Sequence, residues 1–232
     1  DLEALDAMIQ DLTEAIDVAE GIDDRLHCQS HLDRCVPHFI RGDVQRGDRD
    51  LTEGERLAER LRIPEQIARG KNLRAARALL LGELDHCDAL VSDYEAYCAR
   101  EGVSNGPAAV ASMRYRLQYE RGDLADLEDL LVAMIGAQPQ IPVWRMALCG
   151  VYLQTGRPEL AVSHVELVVD DDFAIVPRNA VFLLTCSSTA RIASQVGALD
   201  AAEAAYRYAA PFDSLFPFAG TLWEMPVGVG VG

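Results

Sequence analysis

Arg41-Gly42-Asp43 stands between two stretches of helical patterning, and the same arrangement returns along the chain. It recurs at Leu81-Gly82-Glu83, Arg121-Gly122-Asp123-Leu124, Thr155-Gly156-Arg157-Pro158 and Val196-Gly197-Ala198-Leu199-Asp200. The five glycines are 40, 40, 34 and 41 residues apart, a period that belongs to stacked helical repeats. The reason is turn geometry. A tight helix–helix corner needs a left-handed residue just past the first helix, and glycine takes that conformation without a Cβ clash. An acidic residue immediately beyond it suits the N-terminus of the next helix.

The segments between the corners have apolar residues at three and four spacing. Residues 2–20 carry Leu2, Leu5, Ile9, Leu12, Ile16 and Val18 in this pattern. Helical pairs are predicted at 23–41 with 48–62, 64–81 with 83–101, 107–121 with 123–136, 142–155 with 158–169, and 177–196 with 199–210. Pro64 and Pro107 fall where a first helical turn tolerates proline. Pro37 falls inside a predicted helix, which it should kink or end early. The fold expected is an all-α, right-handed α-α superhelix of about five helical hairpins plus an N-terminal helix, one repeat domain over residues 1–232.

Composition agrees. Half of the 232 residues are hydrophobic, enough for a core, while aromatics make up only 6%, which suits close-packed helices better than sheets. The net charge of −16 repels a phosphate backbone, so nucleic-acid binding by this segment is not expected. No stretch has the length and apolarity of a membrane span, and no secretion signal is read. Cys28, Cys35, Cys87, Cys98, Cys149 and Cys186 are scattered through apolar helical contexts without a CxxC pair. They read as buried, reduced thiols of a cytoplasmic protein.

Trp144 to Ala161 places a large aromatic, small residues, Tyr152, Gly156 and a later Leu-Ala near the positions of a tetratricopeptide repeat, and Leu199 to Tyr206 resembles the second helix of one. With Tyr206-Arg207-Tyr208-Ala209-Ala210-Pro211-Phe212 and the glycine–valine stretch Val227 to Gly232, the chain resembles the helical region of large bacterial regulators. These are the MalT-like and LuxR-type ATP-dependent transcription factors and the adenylate-cyclase-like ATPase proteins of actinobacteria. Lys71 is the single lysine among 21 basic residues, which reads as a high-GC coding bias. The resemblance implies a fragment of a longer protein, with a nucleotide-binding module upstream and a helix-turn-helix downstream. No GxxxxGK[ST] motif occurs in these residues. The array is expected to continue through a helix opening at Thr221-Leu222-Trp223.

Several constellations bear on chemistry. His27, His31, Cys35 and His38 share an arc of one helix, on the side away from Leu32, Val36, Phe39 and Ile40, and are expected to face solvent or a groove. One metal ion takes at most an adjacent pair from such a helix, and His27/His31 is the candidate. Asp170-Asp171-Asp172 lacks the spaced ligands of a calcium loop and reads as a solvated connector. The small polar residues of 185–189 read as close-contact positions in a packed helix. Arginine and tyrosine are favoured at interfaces, so Arg114, Tyr115, Gln118, Arg145 and Tyr152 are the candidates for a concave binding face.

The function expected is a non-catalytic interaction and regulatory module with no cofactor. It would bind a protein or peptide and relay that binding to neighbouring domains of its own chain. A small-ligand sensor, with Met113, Trp144 and Met146 lining a cavity, is the alternative, and a metal-dependent enzyme using His27/His31 the third.

Overall fold

The computed structural model describes residues 2–178 and 180–218 of the chain. Thr221 to Trp223, where a further helix is expected to open, and the glycine–valine stretch Val227 to Gly232 lie outside the described residues. The architecture is all-α, with eleven α-helices among the described residues. They are α1 Leu2–Ala19, α2 Asp24–Ile40, α3 Val44–Leu61, α4 Pro64–Leu80, α5 Leu84–Glu101, α6 Gly106–Arg121, α7 Glu128–Ala137, α8 Val143–Gln154, α9 Val162–Phe173, α10 Ala180–Gln195 and α11 Leu199–Ala209. No described helix is long and apolar enough to cross a membrane.

The corners are built as the glycine spacing predicts. Gly42, Gly82, Gly122, Gly156 and Gly197 all have φ between +72° and +76°. At each corner the amide after the glycine reaches back across the last turn: Asp43 to the His38 carbonyl at 2.9 Å, Glu83 to Ala78 at 3.0 Å, Asp123 to Gln118 at 2.9 Å. Arg157 to Tyr152 at 2.8 Å and Ala198 to Ala193 at 2.9 Å complete the set. This bond satisfies carbonyls that a helix end otherwise orphans. The true step is shorter than the glycine spacing shows. Gly102 (φ +70°) and the non-glycine Arg62 (φ +53°) turn two intervening corners, so left-handed residues stand at 42, 62, 82, 102 and 122, twenty residues apart.

Helix starts follow local chemistry. The Asp23 carboxylate accepts from the amides of Arg25 and Leu26, both at 3.0 Å, and Asp43 accepts from Arg46 at 3.1 Å. Asp43 thereby opens α3 at Val44, four residues ahead of the predicted start at 48. Pro64 occupies the first turn of α4. Pro37 does not end α2 early; the helix runs on to Ile40, and a proline this close to the end removes only one of the last amide bonds. The predicted helix over 158–169 starts as a 3-10 turn, Pro158–Leu160. At its far end Asp170, Asp171 and Asp172 leave helical geometry, the last two with positive φ, and all three are exposed as expected of a connector.

The chain divides into two compact units, Asp1–Leu117 and Gln118–Gly232. In the first, α1 packs on α2, α2 on α3, α3 on α4 and α4 on α5, and α2 also touches α4. Its core holds Cys28, Leu32, Cys35, Phe39, Leu51 and Leu57, all at most 1% exposed. In the second unit α7 packs on α8, α8 on α9 and on α10, and α11 on both α9 and α10. Thr185, Ser187, Ser188 and Thr189 are buried in α10, as close-contact positions should be, with Thr189 Oγ1 donating to Met146 Sδ at 3.1 Å. Phe173, Phe182 and Tyr208 meet edge to face at 5.3–6.2 Å, and the Arg178 guanidinium lies 4.0 Å from the Phe182 ring centre.

Candidate functional site

A groove of about 360 Å³ opens in the first unit across three successive helices. Helical periodicity selects its lining. Thr52, Glu55, Arg56 and Glu59 come from one face of α3, Ile67, Lys71 and Arg74 from one face of α4, and Leu90 and Asp93 from adjacent turns of α5. Ile67 and Leu90 supply apolar surface, and charged side chains of both signs surround it. The three cations are already paired: Lys71 Nζ with Asp93 at 2.5 Å, Arg56 Nε with Glu53 at 2.8 Å, and Arg74 with Glu55. A Cβ on Gly70 would lie 2.8 Å from Glu55 Cγ, so the glycine makes room for Glu55 beside α4.

The first unit also holds a buried polar cluster centred on Asp50 of α3, which is 4% exposed. Arg34 of α2 grips both carboxylate oxygens, Nε to Oδ2 at 2.9 Å and Nη2 to Oδ1 at 2.7 Å. His31 Nδ1 meets Oδ1 at 2.9 Å, and His38 Nε2 lies 3.7 Å from Oδ2. Burial alone would raise the Asp50 pKa, but the hydrogen bonds from His31 and Arg34 outweigh it and hold the carboxyl below its ordinary value. His38 moves down, because burial disfavours its charged form more than Asp50 favours it.

This arrangement corrects the expected orientation of the histidines. The solvent-facing half of the expectation is overturned: His31, Cys35 and His38 are buried where α2 meets its neighbours, and His27 alone of the four is partly exposed. The groove half holds for His38, which lines a recess with Arg34 and Asp50, because Asp50 on α3 turns the polar arc of α2 inward. His27 and His31 do come together, Nε2 to Nε2 at 3.2 Å. Among the described residues no group of three or more His, Cys, Asp or Glu is placed to hold a metal ion, so the pair has no third protein ligand there.

The other candidate residues fall in two places. In the first unit Arg114 is partly exposed and pairs with Glu95 at 2.6 Å and Asp88 at 3.6 Å, and Tyr115 lies one position further along the same helix. In the second unit Tyr152 is 8% exposed, stacked under the Arg157 guanidinium at 5.3 Å and beside His164 at 6.0 Å. Arg145 Nη1 lies 3.5 Å from His164 Nδ1. Burial, helped by Arg145, lowers the His164 pKa, so its neutral ring accepts from that guanidinium. Gln118 Oε1 and Arg145 Nε are buried without a hydrogen-bond partner. Arg145 and Tyr152 are thus occupied in packing within their own unit. Met113, Trp144 and Met146, read as a cavity lining, are all buried.

Sequence reasoning missed the groove residues and Asp50. The signal for the groove was the charge pattern of α3, where Thr52, Glu55, Arg56 and Glu59 recur at three and four spacing. Asp50 carried no local signal, since its partners stand sixteen and nineteen residues away.

Comparison with known proteins gives no match: no family model, no curated protein and no solved structure is significantly similar to this chain.

Proposed function

We propose that this chain is a non-catalytic interaction and regulatory module, a tetratricopeptide-like helical stack that docks a segment of a protein partner. The observation that carries the reading is the α3–α4–α5 groove, with half-buried Ile67 and Leu90 lining it and ion-paired side chains around them. Exposed ion pairs contribute little net stability, so a partner's charges replace them at small cost while its apolar side chains cover Ile67 and Leu90. Opposite charges on the groove walls then select sequence and direction. The resemblance to the helical region of LuxR-type regulators supports a cytoplasmic signalling role in which occupancy is relayed to a neighbouring nucleotide-binding domain.

A display library of random linear peptides, panned on the full chain, tests the proposal. Peptides of a shared charge pattern should be enriched, and Lys71→Glu combined with Arg74→Glu should abolish their binding. Enrichment of peptides that bind the double variant equally well, or no enrichment over a scrambled library, would overturn it. A small-ligand sensor is the second reading, and a recess beside Asp50 favours it.

A further inference from the structure

Three helices of the first unit each contribute residues one turn apart to a recess of about 340 Å³. Arg46, Arg49 and Asp50 come from the first turns of α3, Arg34 and His38 from α2, and Ile9 and Thr13 from α1. Three guanidiniums therefore face one carboxylate, in a chain whose net charge is −16. That carboxylate is spent: Arg34 and His31 occupy both oxygens of Asp50. Arg34 is spent as well, with its remaining Nη1 donating to Thr13 Oγ1 at 2.9 Å, and Thr13 donates in turn to the Ile9 carbonyl at 2.7 Å.

Arg46 and Arg49 differ from Arg34. Both are exposed at the mouth of the recess. Each is held through Nε, Arg46 against Asp43 at 3.4 Å and Arg49 to the Gln45 carbonyl at 3.3 Å. This leaves the terminal nitrogens of two guanidiniums, one turn apart on α3, for a ligand. A guanidinium fork matches the geometry of a carboxylate or phosphate. Below them Arg34 is a fixed positive charge, and His38 is buried in the recess. Ile9 gives one apolar wall, enough for a short carbon chain.

We infer that this recess is a binding site for a small oxyanion, a carboxylate or phosphate compound held by Arg46 and Arg49 over the Arg34–Asp50 pair. The ligand spans α1 and α3. Its binding ties the N-terminal helix, joined to α2 by the Arg41–Asp6 ion pair at 2.5 Å, to the corner at Gly42. The site shares no lining residue with the α3–α4–α5 groove, so the two stand or fall separately.

The test uses the full chain, with inorganic phosphate and succinate as separate probes against chloride at matched ionic strength. Saturable binding by calorimetry is expected for at least one probe, together with slowed amide exchange in α1. Phosphate alone, succinate alone or both identify the ligand source, and each supports the site. Arg46→Gln with Arg49→Gln, both at exposed positions, should weaken binding at least tenfold while the helical circular dichroism is unchanged. Arg56→Gln, in the groove, should leave it intact. No binding beyond chloride, or equal weakening by Arg56→Gln, would overturn the inference.

Discussion

Gly47 of α3 lies directly against the ring of Phe39 of α2: a Cβ on Gly47 would stand 2.3 Å from Cε1 and 2.5 Å from Cδ1. Phe39 is fully buried. Gly54 repeats the relationship two turns later, where a Cβ would come within 2.6 Å of Leu32 Cδ2. The two glycines let α2 and α3 approach closely, and this contact encloses the Asp50 cluster.

Gly47→Ala sets two effects against each other. Alanine gains about 1 kcal/mol in helix propensity. Overpacking a filled site costs about 1–3 kcal/mol, and a 2.3 Å approach belongs at the upper end. A net loss of about 1–2 kcal/mol in urea unfolding is expected. Gly136 in α7 is the control, since nothing lies within 4 Å of its Cβ position and its φ is not left-handed. Gly136→Ala should stabilise by roughly 0.5–1 kcal/mol. Equal responses of the two variants would mean that α2 and α3 are not in the contact described.

Asp50 links stability to acid. Its folded-state pKa is held below the ordinary 3.8, so the unfolded chain binds the proton first as pH falls. The stabilisation is complete above about 3.8 and is lost as pH drops through the folded value. Urea midpoints at pH 5 and pH 3 should therefore differ more for the native chain than for Asp50→Asn. Asp50→Ala at neutral pH strands Arg34 and His31, and about 3 kcal/mol should be lost, since breaking a buried pair from one side leaves the other charge uncompensated. A loss well under 1 kcal/mol would show that the cluster is solvated.

The helices and their corners were legible in the sequence because each depends on neighbours in the chain: Gly82 on the turn it closes, Pro64 on the turn it opens. All five glycines read as corners have positive φ. The twenty-residue step was hidden because one left-handed corner is an arginine, Arg62, and nothing in its residue type announces that conformation. Which face of α2 turns inward was not legible either. A polar arc of histidines looks like a surface until the residue opposite it is known, and Asp50 and Arg34 meet only through the α2–α3 hairpin. The groove on α3, α4 and α5 is illegible for the same reason: its charges pair across 19 and 22 residues.

The thiols should be inert. All six cysteines are buried and unbridged. Burial pushes Cys149 and Cys186 up to about 12, and Cys35 is raised further. The thiolate is the reactive form, so at pH 8 a disulfide reagent such as Ellman's should titrate none of them rapidly in the native chain and all six in urea. A fast-reacting thiol in the folded state would identify a helix that opens.

The corners at Gly122 and Arg62 invite opposite substitutions. Gly122 has φ +74° and nothing within 4 Å of its Cβ position, so space is not the constraint and backbone conformation is. Gly122→Val forces a β-branched residue into the left-handed region and should cost about 2 kcal/mol. Gly122→Asn, whose side chain tolerates that region, should cost visibly less. Arg62 already stands there, at φ 53° and ψ 46°. Arg62→Gly removes the Cβ crowding, worth about 1–2 kcal/mol, and adds unfolded-state entropy that returns up to about 1 kcal/mol of it. A gain of roughly 0.5–1 kcal/mol is expected. Melting temperatures should thus rank Arg62→Gly above the native chain, then Gly122→Asn, then Gly122→Val. If Gly122→Val melts with the native chain, the corner between α6 and α7 is not left-handed, and the shared geometry of the twenty-residue step fails with it.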